Sequence, residues 1–371
     1  MMPSMRMRGA WVGLSLLVAC EGPGTADPQT ETETPTGEGT TTVPVNDSTS
    51  SGTPTADSTG PADSTGPAME GWQVVRELGP ELGMAMSVWG PNAADVRVVG
   101  GQRLDDGSTG FVLRRTTEGW DPEPLPASTP MLHWVGAAGP DQWTVGLDGT
   151  TLRREGEAWV VHPTPTDRTL WGVWGAASDD VWAVGGNGVD DPPTMLHFDG
   201  AAWSEVVLPA LPPESNALFK VWGADAAHVF AVGDGGALLQ RVDEAWEAVT
   251  FESIAPFIAA WGRGPEEVVV VGGRSNARLV RWDGADWQDV TLLDAGLNGV
   301  WLDDEGMATL VGRVGGIFEL PAGSLRPVMI DSPTNQLLHA VHGFEDGSWI
   351  AVGGSFEGPP PWVGLIVEHS G

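Results

Sequence analysis

One phrase returns along this chain and constrains its fold more than any other feature. It is a tryptophan–glycine pair, a short acidic turn, and an apolar run that ends in a second glycine. The clearest copy reads Leu170-Trp171-Gly172-Val173-Trp174-Gly175, then Asp179-Asp180-Val181-Trp182-Ala183-Val184-Gly185, then Met195-Leu196-His197-Phe198-Asp199-Gly200 and Trp203. Paired glycines mark the other copies: Gly90 and Gly100, Gly136 and Gly146, Gly223 and Gly233, Gly262 and Gly272, Gly343 and Gly353. A degenerate copy has Leu302 in the first place and Gly312 in the second. The first marks stand 46, 39, 48, 39, 40 and 41 residues apart, which makes seven units. A fixed period of this length means that each unit is a supersecondary structure buried by its neighbours.

Each unit reads as four short strands. The first ends at the Trp-Gly pair, as in Met86-Ser87-Val88-Trp89-Gly90. The second is apolar on both faces, as in Val268-Val269-Val270-Val271-Gly272, so it is expected to be covered on both sides. Leu152-Arg153-Arg154 and Leu279-Val280-Arg281 typify a more amphipathic third strand. Asp199-Gly200 and Asp283-Gly284 suit two-residue hairpins, because both positions tolerate positive φ. The fourth strand opens with Trp120, Trp159, Trp203, Trp246 or Trp287, and Leu325 takes that slot in the sixth unit.

Four antiparallel strands every ~43 residues predict an all-β chain, a seven-bladed β-propeller of four-stranded antiparallel blades. Large indole rings are expected to fill the wedges between blades, which widen toward the rim. The seventh unit supplies three strands, the last near Leu365-Ile366-Val367. Glu70-Gly71-Trp72-Gln73-Val74-Val75 has the form of a fourth strand with none before it, and is expected to complete the last blade.

Two local patterns resemble known repeats. Val145 to Trp159 is similar to the repeat of BNR and photosystem II assembly factor-like propellers, as is Val232-Gly233-Asp234-Gly235-Gly236 with Trp246. Val-Trp-Gly followed by Asp-Asp-Val-Trp-Ala-Val-Gly also resembles repeats of secreted and lipoprotein propellers of bacteria, some of them kelch-like. Both resemblances imply a fold and leave the function open. A strict Asp-box is absent, and the chain has no tyrosine, so the Tyr-nucleophile mechanism of sialidases is excluded.

Composition removes further classes. Fifty acids against 18 bases give a formal net charge of −32, and Lys220 is the sole lysine, so a basic face for nucleic acid is excluded. One cysteine rules out a disulfide framework or a thiolate zinc site. With 52 glycines and 30 prolines, helical repeats are disfavoured.

Upstream of the repeats, Arg6 and Arg8 precede the apolar run Ala10 to Ala19, too short to span a bilayer. The run ends in Leu17-Val18-Ala19-Cys20, which resembles the lipobox of bacterial lipoproteins. The resemblance implies a signal peptide over residues 1–19 and lipidation of Cys20. With Glu21 rather than Asp after the cysteine, it implies the outer membrane of the cell envelope. Residues 20–69 are rich in Thr, Ser, Pro and Gly, with a duplicated Ala-Asp-Ser-Thr-Gly-Pro, and are expected to be a disordered acidic linker. Residues 70–371 are the expected propeller.

No catalytic residue, nucleophile elbow or phosphate-cradling loop stands out. Five units carry an acid or histidine at one slot: Asp95, Asp141, Asp180, His228 and Glu267. Recurrence at one slot reads as a turn residue accepting backbone N–H bonds. His339 and His342 lie three apart on one strand and so face opposite ways, and His342 occupies a tryptophan slot, so no histidine metal site is expected. The loops after the second strands differ in length: long over 101–110, 186–194 and 354–361, short in units two, four and six. They bring forward Arg103, Asp105, Asp106, Asp190 and Asp191, with Arg274 and Asn276 from unit five, as candidate ligand-binding residues. The paired acids could hold Ca²⁺, although no cofactor is required. The expected function is a lipid-anchored, monomeric binding or scaffolding module for a protein or glycan partner. The alternatives are a glycan hydrolase or lyase using carboxylates in the central funnel, and a structural surface lipoprotein without a ligand.

Overall fold

Alternating and doubly apolar runs this short can bury themselves only as strands, and strands are nearly all that forms. The computed structural model describes residues 71–371 except 105–106, 188–191, 243, 293–294 and 357. The signal segment, Cys20, the linker, Asp105, Asp106, Asp190 and Asp191 lie outside the described residues. Strand β1 (Trp72–Leu78) comes first. The next set is β2 (Met84–Trp89), β3 (Arg97–Leu104), β4 (Gly107–Thr116) and β5 (Gly119–Pro122). There follow β6 (Leu132–Ala138), β7 (Asp141–Gly146), β8 (Thr151–Glu155) and β9 (Ala158–Val161), then β10 (Leu170–Ala177), β11 (Asp180–Gly185), β12 (Thr194–Phe198) and β13 (Trp203–Glu205). Next come β14 (Leu218–Asp225), β15 (His228–Gly233), β16 (Leu238–Val242) and β17 (Ala245–Val249). The sets β18 (Phe257–Gly264), β19 (Glu267–Gly272), β20 (Arg278–Trp282), β21 (Trp287–Thr291) and β22 (Leu297–Leu302), β23 (Ala308–Gly312), β24 (Ile317–Leu320), β25 (Val328–Ile330) follow. Last are β26 (Leu338–Gly343), β27 (Trp349–Gly354) and β28 (Gly364–His369). Two single 3-10 turns, at Asp234–Gly236 and Arg313–Gly315, are the only helical elements among the described residues.

Within each set the strands pair in chain order as an antiparallel four-stranded sheet. The last sheet runs β1-β28-β27-β26, with Val74 opposite Val367 and Trp72 opposite His369. A single parallel contact, Gly175 with Ala138, links the second and third sheets at their innermost strands. Those innermost strands neighbour one another in the order β2, β6, β10, β14, β18, β22, β26, and β26 in turn neighbours β2.

The two glycine marks have separate causes. A Cβ on the second glycine would strike the carbonyl that precedes or opens the first strand: 1.9 Å from Met84 O at Gly100, 2.0 Å from Thr169 O at Gly185, and 2.1 Å from Pro256 O at Gly272. A contact under 3 Å with backbone cannot be relieved by a side-chain rotation, so the backbone crossing itself requires glycine. The first glycine instead receives an indole from the preceding sheet: a Cβ on Gly223 would lie 2.5 Å from the Trp174 ring, and one on Gly343 would lie 2.5 Å from Trp301. The second unit departs from this pattern. Register places Gly136 opposite Trp143, as Trp174 stands opposite Trp182, so Gly136 holds the tryptophan slot and Ala137 the glycine slot.

Tryptophans therefore serve two regions. At the rim they fill wedges as expected, each fourth-strand indole packing on the sheet before it. Trp159 lies on Val99 and Val112, Trp203 on Trp143 and Val145, Trp246 on Trp182 and Val184, Trp287 on Phe230 and Val232. Trp72 on β1 packs likewise against Val311 and Ile317. At the axis, by contrast, the Trp-Gly indoles line a void.

Three local expectations are corrected. The Asp-Gly connections are four-residue loops, because Phe198 pairs with Trp203 and Trp282 with Trp287. In each, the aspartate carboxylate accepts two backbone N–H bonds, from Ala201 and Ala202 to Asp199 and from Ala285 and Asp286 to Asp283. Such Asx capping stabilises a wider loop as well as a tight one. The recurring acids are side-chain partners instead: Asp141 binds Arg153, Asp95 binds Arg97, Asp180 binds His197 and Trp182, and Glu267 binds Arg263 and Arg281. Finally, the long loop of unit one is mostly hairpin, since β3 and β4 stay paired out to Leu104 with Gly107.

Candidate functional site

Every first strand carries a bulge near its start, between Leu132 and Trp134, Leu170 and Gly172, Leu218 and Lys220, Phe257 and Ala259, Leu297 and Gly299, Leu338 and Ala340, and one residue later in β2, between Ala85 and Ser87. The bulge turns the next residues inward. The slot just after it holds Ser87, Trp134, Gly172, Lys220, Ala259, Gly299 and Ala340. Two positions on, the residues are Trp89, Gly136, Trp174, Trp222, Trp261, Trp301 and His342. Small residues in the first ring and indoles in the second leave one cavity of about 100 Å³, lined from all seven first strands.

Lys220 projects into this cavity past Gly172, where a Cβ would lie 3.0 Å from the Lys220 Cα. Its ammonium sits 3.8 Å from the centre of the Trp134 ring and donates to the Trp171 carbonyl at 3.1 Å. A cation on an indole face is stabilised by the ring quadrupole, the more so when desolvated. No carboxylate comes within ion-pair distance of Lys220 among the described residues, and burial pushes its pKa down to about 7. His342 donates through Nε2–H to Gly90 O, 3.0 Å away, and packs edge-on to Trp261 and Trp301. This is the core-filling place expected for it.

Above the cavity, on the end of the sheets that carries the second-to-third-strand connections, the bulge residues form a collar. His133 stacks on Trp171 at 4.1 Å, Trp171 meets Phe219 edge-on at 6.1 Å, and His339 meets Phe356 at 4.8 Å. His133 is tied through Nδ1 to Leu170 O and His339 through Nε2 to Gly354 O. Burial holds both as neutral imidazoles, His133 down to about 3 and His339 to about 4. The same end exposes Leu104, Val207, Ile254, Val314, Phe356 and Val363. Other exposed large apolar side chains, such as Val161 and Met329, lie on outer strands.

Of the sequence-predicted site residues, Arg103 lies at the end of β3, close enough to His133 to lower its pKa together with Lys220. Arg274 and Asn276 are exposed on the loop of unit five, where Arg274 stands in the fields of Asp234 and Arg313. All three share one end of the sheets, but Arg103 and the Arg274 group form two separate clusters. Asp105, Asp106, Asp190 and Asp191, with the Ca²⁺ reading that rests on them, fall outside the described residues. Among the described residues no three acids or histidines converge as a metal site. Lys220, His133 and Trp134 were not singled out by sequence. The available signal was the sole lysine of the chain standing in a slot otherwise given mostly to Ser, Gly and Ala.

By sequence, no protein-family profile and no curated protein matches the chain. Solved structures do match by shape. A structure of YCF48 bound to D1 peptide aligns with a TM-score of 0.56 at 13% identity, over 82% of this chain and 99% of that one. The WD40 β-propeller domain of Doa1 aligns at 0.57 and 12%, over 81% and 97%. A catalytically inactive virginiamycin B lyase from Staphylococcus aureus with quinupristin aligns at 0.61 and 9%, over 80% and 98%. At these identities the likeness extends to the fold alone: this all-β chain is a β-propeller.

Proposed function

We propose that residues 70–371 form a seven-bladed ring, clasped by the N-terminal strand as the fourth strand of the last blade, that acts as a protein-binding module. The ring reading is supported by the closed order of the first strands and by His342 bonding to Gly90 across the junction of last and first blades. The β1–β28 pairing supports the clasp.

The observation that carries the binding reading is the placement of exposed apolar and aromatic side chains. Leu104, Val314, Phe356 and Val363 surround the collar of Trp171, Phe219 and His339 on one end of a rigid scaffold. Apolar groups of this kind gain by excluding water against a partner, and a ring that holds them in place orders little on binding. A propeller of similar shape is known bound to a peptide. An extended protein segment is therefore the favoured partner over a glycan. The hydrolase or lyase reading calls for paired carboxylates in the funnel, and the described lining of the cavity contains none.

The upstream segment adds an address to this reading. Cys20, at the end of the apolar run, is acylated and holds the module at the cell envelope, on the outer membrane. Radiolabelled palmitate should label the full chain and not Cys20→Ala; equal labelling would remove the anchor. For the binding end, a photo-crosslinking residue at Leu104 or Phe356 should trap envelope protein, and one at Val161 on the outer edge should not. Neutralising Asp105, Asp106, Asp190 and Asp191 tests whether the loop tips contribute. Adducts from Val161 alone, or from all three positions alike, would overturn the assignment of this end.

A further inference from the structure

The described side chains that line the central cavity carry hydrogen-bond donors and almost no acceptors. Its side chains are indoles, valines, alanines, one ammonium and one imidazole, and none is a carboxylate, hydroxyl or amide. The indole N–H groups of Trp89, Trp134, Trp174, Trp222 and Trp261 reach no protein acceptor among the described residues. In a chain of net charge −32, a void lined from seven strands with no carboxylate among its described lining residues is a selective arrangement. Donors left without acceptors in a low-dielectric space favour a ligand that brings acceptors, and a cation without a counter-charge favours an anion. The rest of the wall is apolar: Val88, Val173, Val300 and Val341. A volume of about 100 Å³ admits a molecule of only a few heavy atoms.

We propose that this cavity binds a short-chain monocarboxylate, its carboxylate on the Lys220 ammonium and neighbouring indole N–H groups, its alkyl end among the valines. The site is separate from the loop end offered to a protein partner and stands whether or not that end captures one. Binding is linked to protons through Lys220. The groups that face it from the elements packed around it are His133 on β6 and His339 and His342 on β26, with Arg103 on β3 acting on His133 beyond them. The three imidazoles stay neutral above about pH 4, so among these groups Lys220 is the one that titrates near neutrality. The anion pairs with the protonated amine, so affinity should fall roughly tenfold per pH unit above about 7 and level off below it.

Titration of the full chain with acetate, propionate and butyrate, followed by tryptophan fluorescence, tests this. Propionate should shift the emission saturably at pH 6, with propionamide and chloride at least tenfold weaker. Lys220→Met fits the apolar wall and keeps the fold, and should lose propionate binding by at least tenfold with an unchanged circular dichroism spectrum. Because the chain has one lysine, ¹⁵N-lysine NMR reads Lys220 alone. Its pKa should rise when propionate is added. Equal binding of propionate and propionamide, an unmoved lysine pKa, or full binding by Lys220→Met would each overturn the proposal.

Discussion

Tryptophan is used at the rim and at the axis of this molecule to opposite ends. At the rim, Trp203 and Trp159 are buried against a neighbouring sheet, closely packed among its side chains. At the axis, Trp89, Trp134, Trp174 and Trp261 stay half-buried, and their edges bound a space instead of filling one. The same residue thus closes gaps where the sheets diverge and holds a gap open where they converge. The bulge in each first strand separates the two uses, because it turns its slot toward the axis.

The sharpest way to break this contrast is at the clasp. Deleting residues 70–76 removes Trp72 and the outer partner of β28, and should lower the melting temperature of the whole domain by about 10 °C or more in calorimetry. A loss confined to local fraying would mean that β1 is ornament. Next in size is acid. His133 and His342 are buried with pKa values of about 3 and about 4, below the 6.5 of an unfolded histidine. Unfolding therefore takes up protons, and stability should decline as pH falls from about 6.5 to about 4, by roughly 1.4 kcal/mol per pH unit for each. Urea unfolding across that range, with and without His342→Gln, isolates the axial share.

Indole truncation follows. Trp203→Ala should cost about 3–5 kcal/mol, and Trp174→Ala about half as much, because the axial ring already faces a void. Equal costs would erase the distinction between the two regions. Lys220→Met should raise stability by about 1–3 kcal/mol at pH 7, since the unpaired ammonium is replaced by an apolar group of similar length. The wild type should itself gain stability as pH rises from about 7 toward 10.5, where the unfolded lysine still holds the proton that the folded one has released. Smallest is Leu325→Trp, which restores the rim residue to the one unit lacking it and should add about 0.5 kcal/mol.

Much of this architecture was legible because the repeat is written in residues whose roles are steric. Second-mark glycines mark backbone crossings that no other residue tolerates, and fourth-strand tryptophans mark wedges, so both survive as visible pattern. The second unit shows the limit of such reading. Gly136 and Gly146 keep the ten-residue spacing, yet Gly136 has moved into a tryptophan slot while Trp134 enters the cavity from the ring before it. Spacing alone cannot register a shift by one position when the bulge that compensates it is invisible in sequence. The slot of the recurring acids is a turn, which on sequence alone points to backbone acceptors. Their partners, such as Arg153 for Asp141, come from the third strand across the sheet, a pairing that only register reveals. In the sequence Lys220 stands out as a count and not as a place, since its environment is assembled from strands far apart along the chain.

The pairing of β1 with β28 also bears on how this molecule can be held. Strand β1 runs from Trp72 toward β2 at the loop-bearing end, so it starts at the opposite end, where its Trp72 faces His369 and where Gly371 lies beside Gly347. Both ends of the described chain leave from that underside. Coupling the repeat domain, residues 70–371, to a sensor chip through either of its ends would turn the aromatic collar toward the flowing solution, without any further orientation step.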